Sequence, residues 1–202
     1  MISGLTPDSI IEHAPPRIPL EVRKARMEDI APLLELINGY ATRGIMLPRT
    51  EFELSENIRD FSVALSDGRL VGCGALHFYS PGVGEIRSLA VDESAKTLGV
   101  GRAVIDALIV EADSYSLDAV FAFTYVSEFF RKMGFAEVER GELPLKAWKD
   151  CLRCPKFQCC DEVAMIRILR PEHWASHHSY PNESTNPFGG DYVFVMPKVL
   201  HP

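Results

Sequence analysis

The chain has 202 residues, long enough for one α/β domain with a full core. Apolar residues at 47% and charged residues at 24% are ordinary globular values. A formal net charge of −7 argues against non-specific nucleic-acid binding, and no apolar run reaches the ~18–20 residues of a membrane span.

Residues 1–18 contain Pro7, Pro15 and Pro16 and show no sustained periodicity. They read as an N-terminal arm: a flexible end, or a segment that packs elsewhere or joins a homodimer contact. The start, MISGLTPDSIIEH, lacks a basic stretch followed by an apolar one, so no secretory signal is expected. The cysteine count is odd, at five, and four of them crowd into Cys151–Cys160. Both features favour a reducing cytoplasm over a disulfide framework.

Val22–Ala25 closes a first strand. Arg26 to Tyr40 predicts a helix whose apolar stripe is Ile30, Leu33, Leu34 and Ile37. After a turn, GIMLPRT, the polar segment EFELSENIRD predicts a short second helix. FSVAL and RLVGCGALHFY flank Asp67-Gly68, a strong short hairpin signal. Pro81-Gly82 then turns the chain into GEIRSLAV. Here Ile86, Leu89 and Val91 suit a strand of about six residues, ended by Asp92-Glu93-Ser94. Strict alternation places Glu85, Arg87 and Leu89 on one face and Ile86, Ser88 and Ala90 on the other.

From Val100 the period changes. Val100, Ala103, Val104, Ala107, Leu108 and Glu111 follow helical spacing. AVFAF, 119–123, is a continuous apolar run, as expected of a strand buried on both faces. Ser127 to Met133 predicts a short helix closed by Gly134, FAEVER a further strand, and EVAMIRIL the last one. Residues 142–162 form a Pro- and Cys-rich loop. The chain past Arg170 is polar and turn-rich and reads as a tail over 171–202, with one added strand at YVFVM.

The turn Lys96-Thr97-Leu98-Gly99-Val100-Gly101-Arg102 joins strand to helix. Its glycines let backbone approach a bulky ligand, and the first helical amides have no intrahelical partner. Such a turn can cradle phosphate oxygens, with Lys96 and Arg102 adding formal charge; a plain glycine-capped turn is the alternative. Neither of the two better-known phosphate loops fits this spacing.

The spacing Lys96–Gly99–Gly101 resembles the acyl-coenzyme A loop of the GNAT superfamily of N-acyltransferases, with Lys96 in place of Gln or Arg. The resemblance implies an α/β (α+β) GNAT fold over residues 19–170: a mixed central sheet with splayed parallel strands 4 and 5 and flanking helices. It also implies acetyl-CoA as co-substrate. Leu89, Ala90 and Val91 would meet its pantetheine arm, and Lys96, Leu98, Gly99, Val100, Gly101 and Arg102 would hold the pyrophosphate. The Leu89 N–H would serve as oxyanion donor. Glu85 would be the general base, as in several GNAT members; a solvated pair with Arg87 is the alternative.

The family's tyrosine four residues before a Gly-Phe pair is replaced here by Phe130, which joins the cofactor-binding set. Tyr125 and Ser127 are candidate substitutes for the missing acid, as is water, because a thiol of pKa ~8.5 is a fair leaving group.

GIMLPRT, GEIRSLAV with its glycine loop, and FTYVSEFFRKMGFAEVERGELP together resemble the acetyltransferase domain of short, kinase-less bacterial N-acetylglutamate synthases. By that resemblance Arg49 would bind the α-carboxylate of the amino acid and Ser127 its side-chain end, with Arg87 available for a carboxylate. An arginine common near Ser127 corresponds here to Tyr125, which leaves room for glutamine or another amino acid beside glutamate. The activity implied is N-acetylation of an amino acid at the first step of arginine synthesis. A non-catalytic module sensing acyl-CoA or a metal is the alternative. Cys151, Cys154, Cys159 and Cys160, with Asp161 or His173, fit either a zinc knuckle or a loop of reduced thiols, and no metal ligand is assigned.

Overall fold

A computed structural model describes residues 20–140, 143, 152 and 154–178. The N-terminal arm, Cys151, most of the loop between Arg140 and Cys154, and the YVFVM segment lie outside the described residues.

Seven strands form one mixed sheet in the order β1-β2-β3-β4-β5-β7-β6. They are β1 Leu20–Lys24, β2 Phe61–Ser66, β3 Arg69–Ser80, β4 Val83–Val91, β5 Ala119–Thr124, β6 Ala136–Val138 and β7 Val163–Ile168. Helices α1 Ile30–Ala41, α2 Glu51–Asn57, α3 Val100–Ser114, α4 Ser127–Lys132 and α5 Pro171–His178 connect or follow them. This is the mixed sheet with flanking helices that the resemblance implies. β4 and β5 are the parallel pair; the other neighbours run antiparallel.

The β2–β3 hairpin follows from its turn chemistry. Asp67 and Gly68 take positive φ, 49° and 74°, as a two-residue turn matched to the strand twist requires, and Ser66 pairs with Arg69. The resulting sheet is packed on both sides. On one side lies α3, which buries Val100, Val104, Ile105, Leu108 and Ala112 together with Phe130, Met133 and Phe135. On the other, α1 and α2 bury Leu33, Ile37 and Leu54 against Val63, Cys73 and Ala75.

Two features depart from the sequence-based expectations. Strand β4, expected to span about six residues, runs for nine, Val83–Val91, and carries a bulge. Cys73 pairs with Ala90 and Ala75 with Arg87, so Ser88 and Leu89 together oppose the one residue Gly74. Ser88 takes φ 54° to make the extra step. The inserted residue resets the alternation: Leu89 turns to the α3 side with Ile86 and Val91, while Ala90 returns to the α1 side. Leu89 therefore leaves the face of Glu85 and Arg87 that strict alternation assigns it.

The second departure is α5, in the stretch whose polar composition suggests a tail. Its one large apolar side chain, Trp174, is buried with Val83, Phe121 and Ile166. His173 Nδ1 lies 2.6 Å from the buried Asp118 carboxylate and ties the helix to the start of β5.

Candidate active site

The parallel strands share three register pairs, Val83–Ala119, Gly84–Val120 and Glu85–Phe121. Beyond Glu85 they separate, because β5 keeps its hydrogen bonds to β7 as far as Thr124–Val163 while β4 bulges toward β3. A cleft of about 420 Å³ opens in the gap. Its walls are β4 from Glu85 to Leu89, the end of β5 with Phe130 of α4, the turn Gly44–Arg49, and residues of the 154–162 segment.

Glu85, Arg87, Leu89, Arg49 and Phe130 all line this cleft. Glu85 is buried, 8% exposed, and its Oε2 accepts a hydrogen bond of 2.9 Å from the Tyr79 hydroxyl. Arg87 sits 3.7 Å from Asp60 Oδ2, which also lies 2.6 Å from His77 Nδ1. Arg49 is placed through its backbone: Asn38 Nδ2 donates to its carbonyl and its N–H donates back to Asn38 Oδ1, both at 2.9 Å. The next residue, Thr50, caps α2 in a reciprocal box with Glu53, so the turn and the helix start are one rigid piece. Phe130 is buried edge-on to Phe129 and Phe135.

Ser127 is the first residue of α4 and is not among the residues lining the cleft, although Tyr125 and Val126 are. Tyr125 donates to Asp161 Oδ1 at 2.8 Å and accepts from Lys156 Nζ at 3.1 Å. Burial pushes its phenol above the ordinary range, so it keeps its proton at neutral pH. The Lys156 ammonium is held charged by its hydrogen bonds to Tyr125 and Asp161.

The glycine loop forms a separate surface at the start of α3. Asp92 accepts from Ser94 N–H at 2.9 Å and caps a 3-10 turn over Glu93–Ala95. Gly99 then takes φ 75° and directs the chain into α3 at Val100. An added Cβ on Gly101 would lie 3.4 Å from Phe129 Cζ, so Gly101 brings helix backbone close to α4. Lys96 pairs with Glu93 at 2.8 Å, Arg43 pairs with the same carboxylate at 2.7 Å, and both cations face the Tyr40 ring. Arg102 lies 3.7 Å from Asp106, and Leu98 is exposed. Ala90 is buried, and the Val91 carbonyl accepts the Tyr40 hydroxyl at 2.6 Å. Lys96 to Arg102 lie outside the cleft lining; β4 leads from one surface to the other.

The structure adds residues that spacing does not single out. Arg140, Lys156 and Glu162 line the cleft beside Arg49 and Arg87. Arg140 donates to the Glu162 carbonyl at 2.7 Å and lies over the Phe123 ring. Burial raises the Glu162 carboxyl above the usual carboxylate range, and the Arg140 charge opposes the shift. The hairpin register is the one signal that could point to Tyr79, and Arg140 and Lys156 carry no local signal. Cys154 and Cys160 also line the cleft, and Cys160 Sγ is 3.8 Å from Glu162 Oε2. Among the described residues no three His, Cys, Asp or Glu side chains gather as a metal site, and His173 is engaged with Asp118 instead.

Among the described residues, no helix is long and apolar enough to cross a membrane. An uncharacterised N-acetyltransferase of Chlorobaculum tepidum is 41% identical over 148 residues, covering 73% of this chain and 96% of that protein. An amino-acid acetyltransferase of Mycobacterium tuberculosis is 39% identical over 135 residues, 65% of this chain and 77% of its own length. The N-acetylglutamate synthase of Neisseria gonorrhoeae, solved with coenzyme A and N-acetyl-glutamate, superposes with a TM-score of 0.69 at 29% identity, over 75% of this chain and 35% of that one. The acetyltransferase (GNAT) family model matches residues 31–135, the span from α1 through the splayed strands to the Gly-Phe pair after α4. With a mixed sheet parted at β4 and β5, a glycine-led helix after β4 and this match over half its length, the chain belongs to the GNAT family of acetyltransferases.

Proposed function

We propose that this acetyltransferase uses acetyl-CoA to acetylate the α-amino group of an amino acid, L-glutamate or L-glutamine, in the first step of arginine synthesis in the cytoplasm. The observation that carries the proposal is the charge of the cleft. Arg49, Arg87, Arg140 and Lys156 line it beside the buried carboxylate of Glu85. Four cations favour an acceptor with one or two carboxylates, and a buried carboxylate is the group needed to take a proton from its ammonium. The Neisseria structure, with coenzyme A and N-acetyl-glutamate, supports an acceptor of this size.

Glu85 removes the amine proton directly or through a water, and the free amine attacks the thioester carbonyl. The Leu89 N–H stabilises the tetrahedral oxyanion; the bulge in which Ser88 and Leu89 together oppose Gly74 supports this role, because it interrupts the regular β4–β3 pairing at Leu89. Coenzyme A leaves as thiolate and is protonated by water, since a thiol pKa of ~8.5 needs little assistance. Leu89 to Val91 accompany the pantetheine arm. Lys96 and the turn Leu98 to Arg102 hold the pyrophosphate at the start of α3, where two glycines and unpaired helical amides meet. Arg49 takes the α-carboxylate. The side-chain end, expected at Ser127, falls to Arg140 and Lys156.

Free-thiol release from acetyl-CoA, measured across the twenty amino acids with buffer as control, tests the proposal. Turnover with glutamate or glutamine is expected. Turnover only with other amines discards the arginine assignment, and acetyl-CoA binding without turnover discards the catalytic role.

A further inference from the structure

The buried carboxylate of the cleft is contacted from the neighbouring strand. Tyr79 donates its hydroxyl to Glu85 Oε2 at 2.9 Å. Its placement is built into the hairpin. Phe78 pairs with Gly84 and Ser80 with Val83, so Tyr79 is the extra residue of a second bulge, on β3. A bulge re-aims the side chain it carries. Here the ring is braced from two sides, against Phe121 with centroids 5.6 Å apart and edge-on to His77 at 5.2 Å. Phe121 is itself the register partner of Glu85 on β5. Phenol and carboxylate are thus fixed to the same point of the sheet, where the parallel strands part.

We propose that Tyr79 is the positioning residue that holds Glu85 in its productive orientation and ionised state. This rests on the reading of Glu85 as general base. A phenol that donates to one carboxylate oxygen limits rotation about the terminal torsion and favours the charged form. Other charged or titratable groups surround the same carboxylate: His77 is its register partner on β3, Arg87 lies on its own strand with Asp60 beside it, and Arg49, Tyr125, Arg140, Lys156 and Glu162 line the same cleft. Tyr79 differs from the charged groups in kind. It is a neutral donor on a braced ring, so it fixes the carboxylate in place without adding a charge to the cleft.

The test compares wild type with Tyr79→Phe, Glu85→Gln and the double variant, assayed with acetyl-CoA and the amino acid that supports turnover. Tyr79→Phe keeps the ring and its packing, so thermal stability stays close to wild type. The expected result is a kcat about tenfold lower with both KM values within about twofold, since loss of orientation acts on the chemical step. The acid limb of the kcat/KM profile moves to higher pH. In the Glu85→Gln background the same change has almost no effect, because residues acting through one another are not additive. A 13C-NMR titration of the Glu85 carboxyl, which needs no acceptor, shows a higher midpoint in Tyr79→Phe. Wild-type kcat and an unmoved midpoint in Tyr79→Phe overturn the proposal while leaving Glu85 as base. An equal loss in the Glu85→Gln background also overturns it. Wild-type kcat in Glu85→Gln overturns both roles.

Discussion

Glu85 and Phe121 are the last residues that the two parallel strands share as register partners. Beyond this pair β4 stays with β3 and reaches its bulge at Ser88, while β5 stays with β7, so the buried carboxylate stands at the apex of the cleft. In the proposed mechanism this carboxylate meets the acceptor amine at the closed end of the splay. Glu85→Gln preserves shape and removes the proposed base. It is expected to lower kcat by roughly 100-fold or more and leave KM for acetyl-CoA nearly unchanged, as steady-state kinetics would reveal. An unaffected kcat removes Glu85 from the chemistry.

Arg49 reaches the cleft from a turn pinned by two hydrogen bonds to Asn38. These two anchors are backbone groups, so Arg49→Ala removes the guanidinium and leaves both in place. The expected outcome is a KM for the amino acid raised about tenfold to 100-fold, with KM for acetyl-CoA little changed. A proportionate rise in both KM values would place Arg49 outside acceptor binding.

At Gly72, α3 packs close against β3. A Cβ there would lie 2.4 Å from Val100 Cγ1 and 3.3 Å from the Ala90 carbonyl oxygen. Val100 is fully buried and opens α3 directly after the glycine loop. Gly72→Ala is therefore expected to cost about 1–3 kcal/mol by overpacking and to weaken acetyl-CoA binding by displacing the helix start. Chemical denaturation and calorimetric titration with acetyl-CoA report the two effects; a variant as stable as wild type would show that α3 can give way.

The turn before α1 carries a buried acidic group with a predictable pH signature. Asp29 is 6% exposed and accepts from Arg23 Nη1 at 2.7 Å, Arg23 Nη2 at 3.0 Å and the Arg26 N–H at 2.7 Å. The Arg23 hydrogen bonds, more than the Arg26 amide, hold its carboxyl below the usual carboxylate range. The unfolded chain, with an aspartate pKa of ~3.9, then binds more protons than the folded one in acid. The stabilisation is complete above about pH 5 and is lost as pH falls through the depressed folded value. Asp29→Asn should cost about 2 kcal/mol at neutral pH and flatten this part of the acid limb in denaturation curves taken between pH 6 and 3.

The local elements of this fold are written in short stretches of chain. The Asp67-Gly68 hairpin, the change from strand to helix period between Val91 and Val100, and the apolar run of β5 depend on residues a few positions apart. Turn preference, glycine conformation and amphipathic spacing act at that range, which is why element order and the glycine loop are legible in the amino-acid sequence by itself. Which side of β4 Leu89 faces is not. The bulge at Ser88 belongs to the pairing of β4 with β3, whose Gly72 and Gly74 lie against Val100 and Val104 of α3, contacts between residues about thirty positions apart. The hydrogen bond from Tyr79 to Glu85 depends on hairpin register, and Arg140 and Lys156 converge on the cleft from beyond α4. Trp174 makes the same point in a stretch of polar residues, since one large side chain finding a preformed apolar pocket can order a helix that composition alone marks as tail. Local propensity decides what each segment is, and burial summed across segments decides which side chains meet in the cleft.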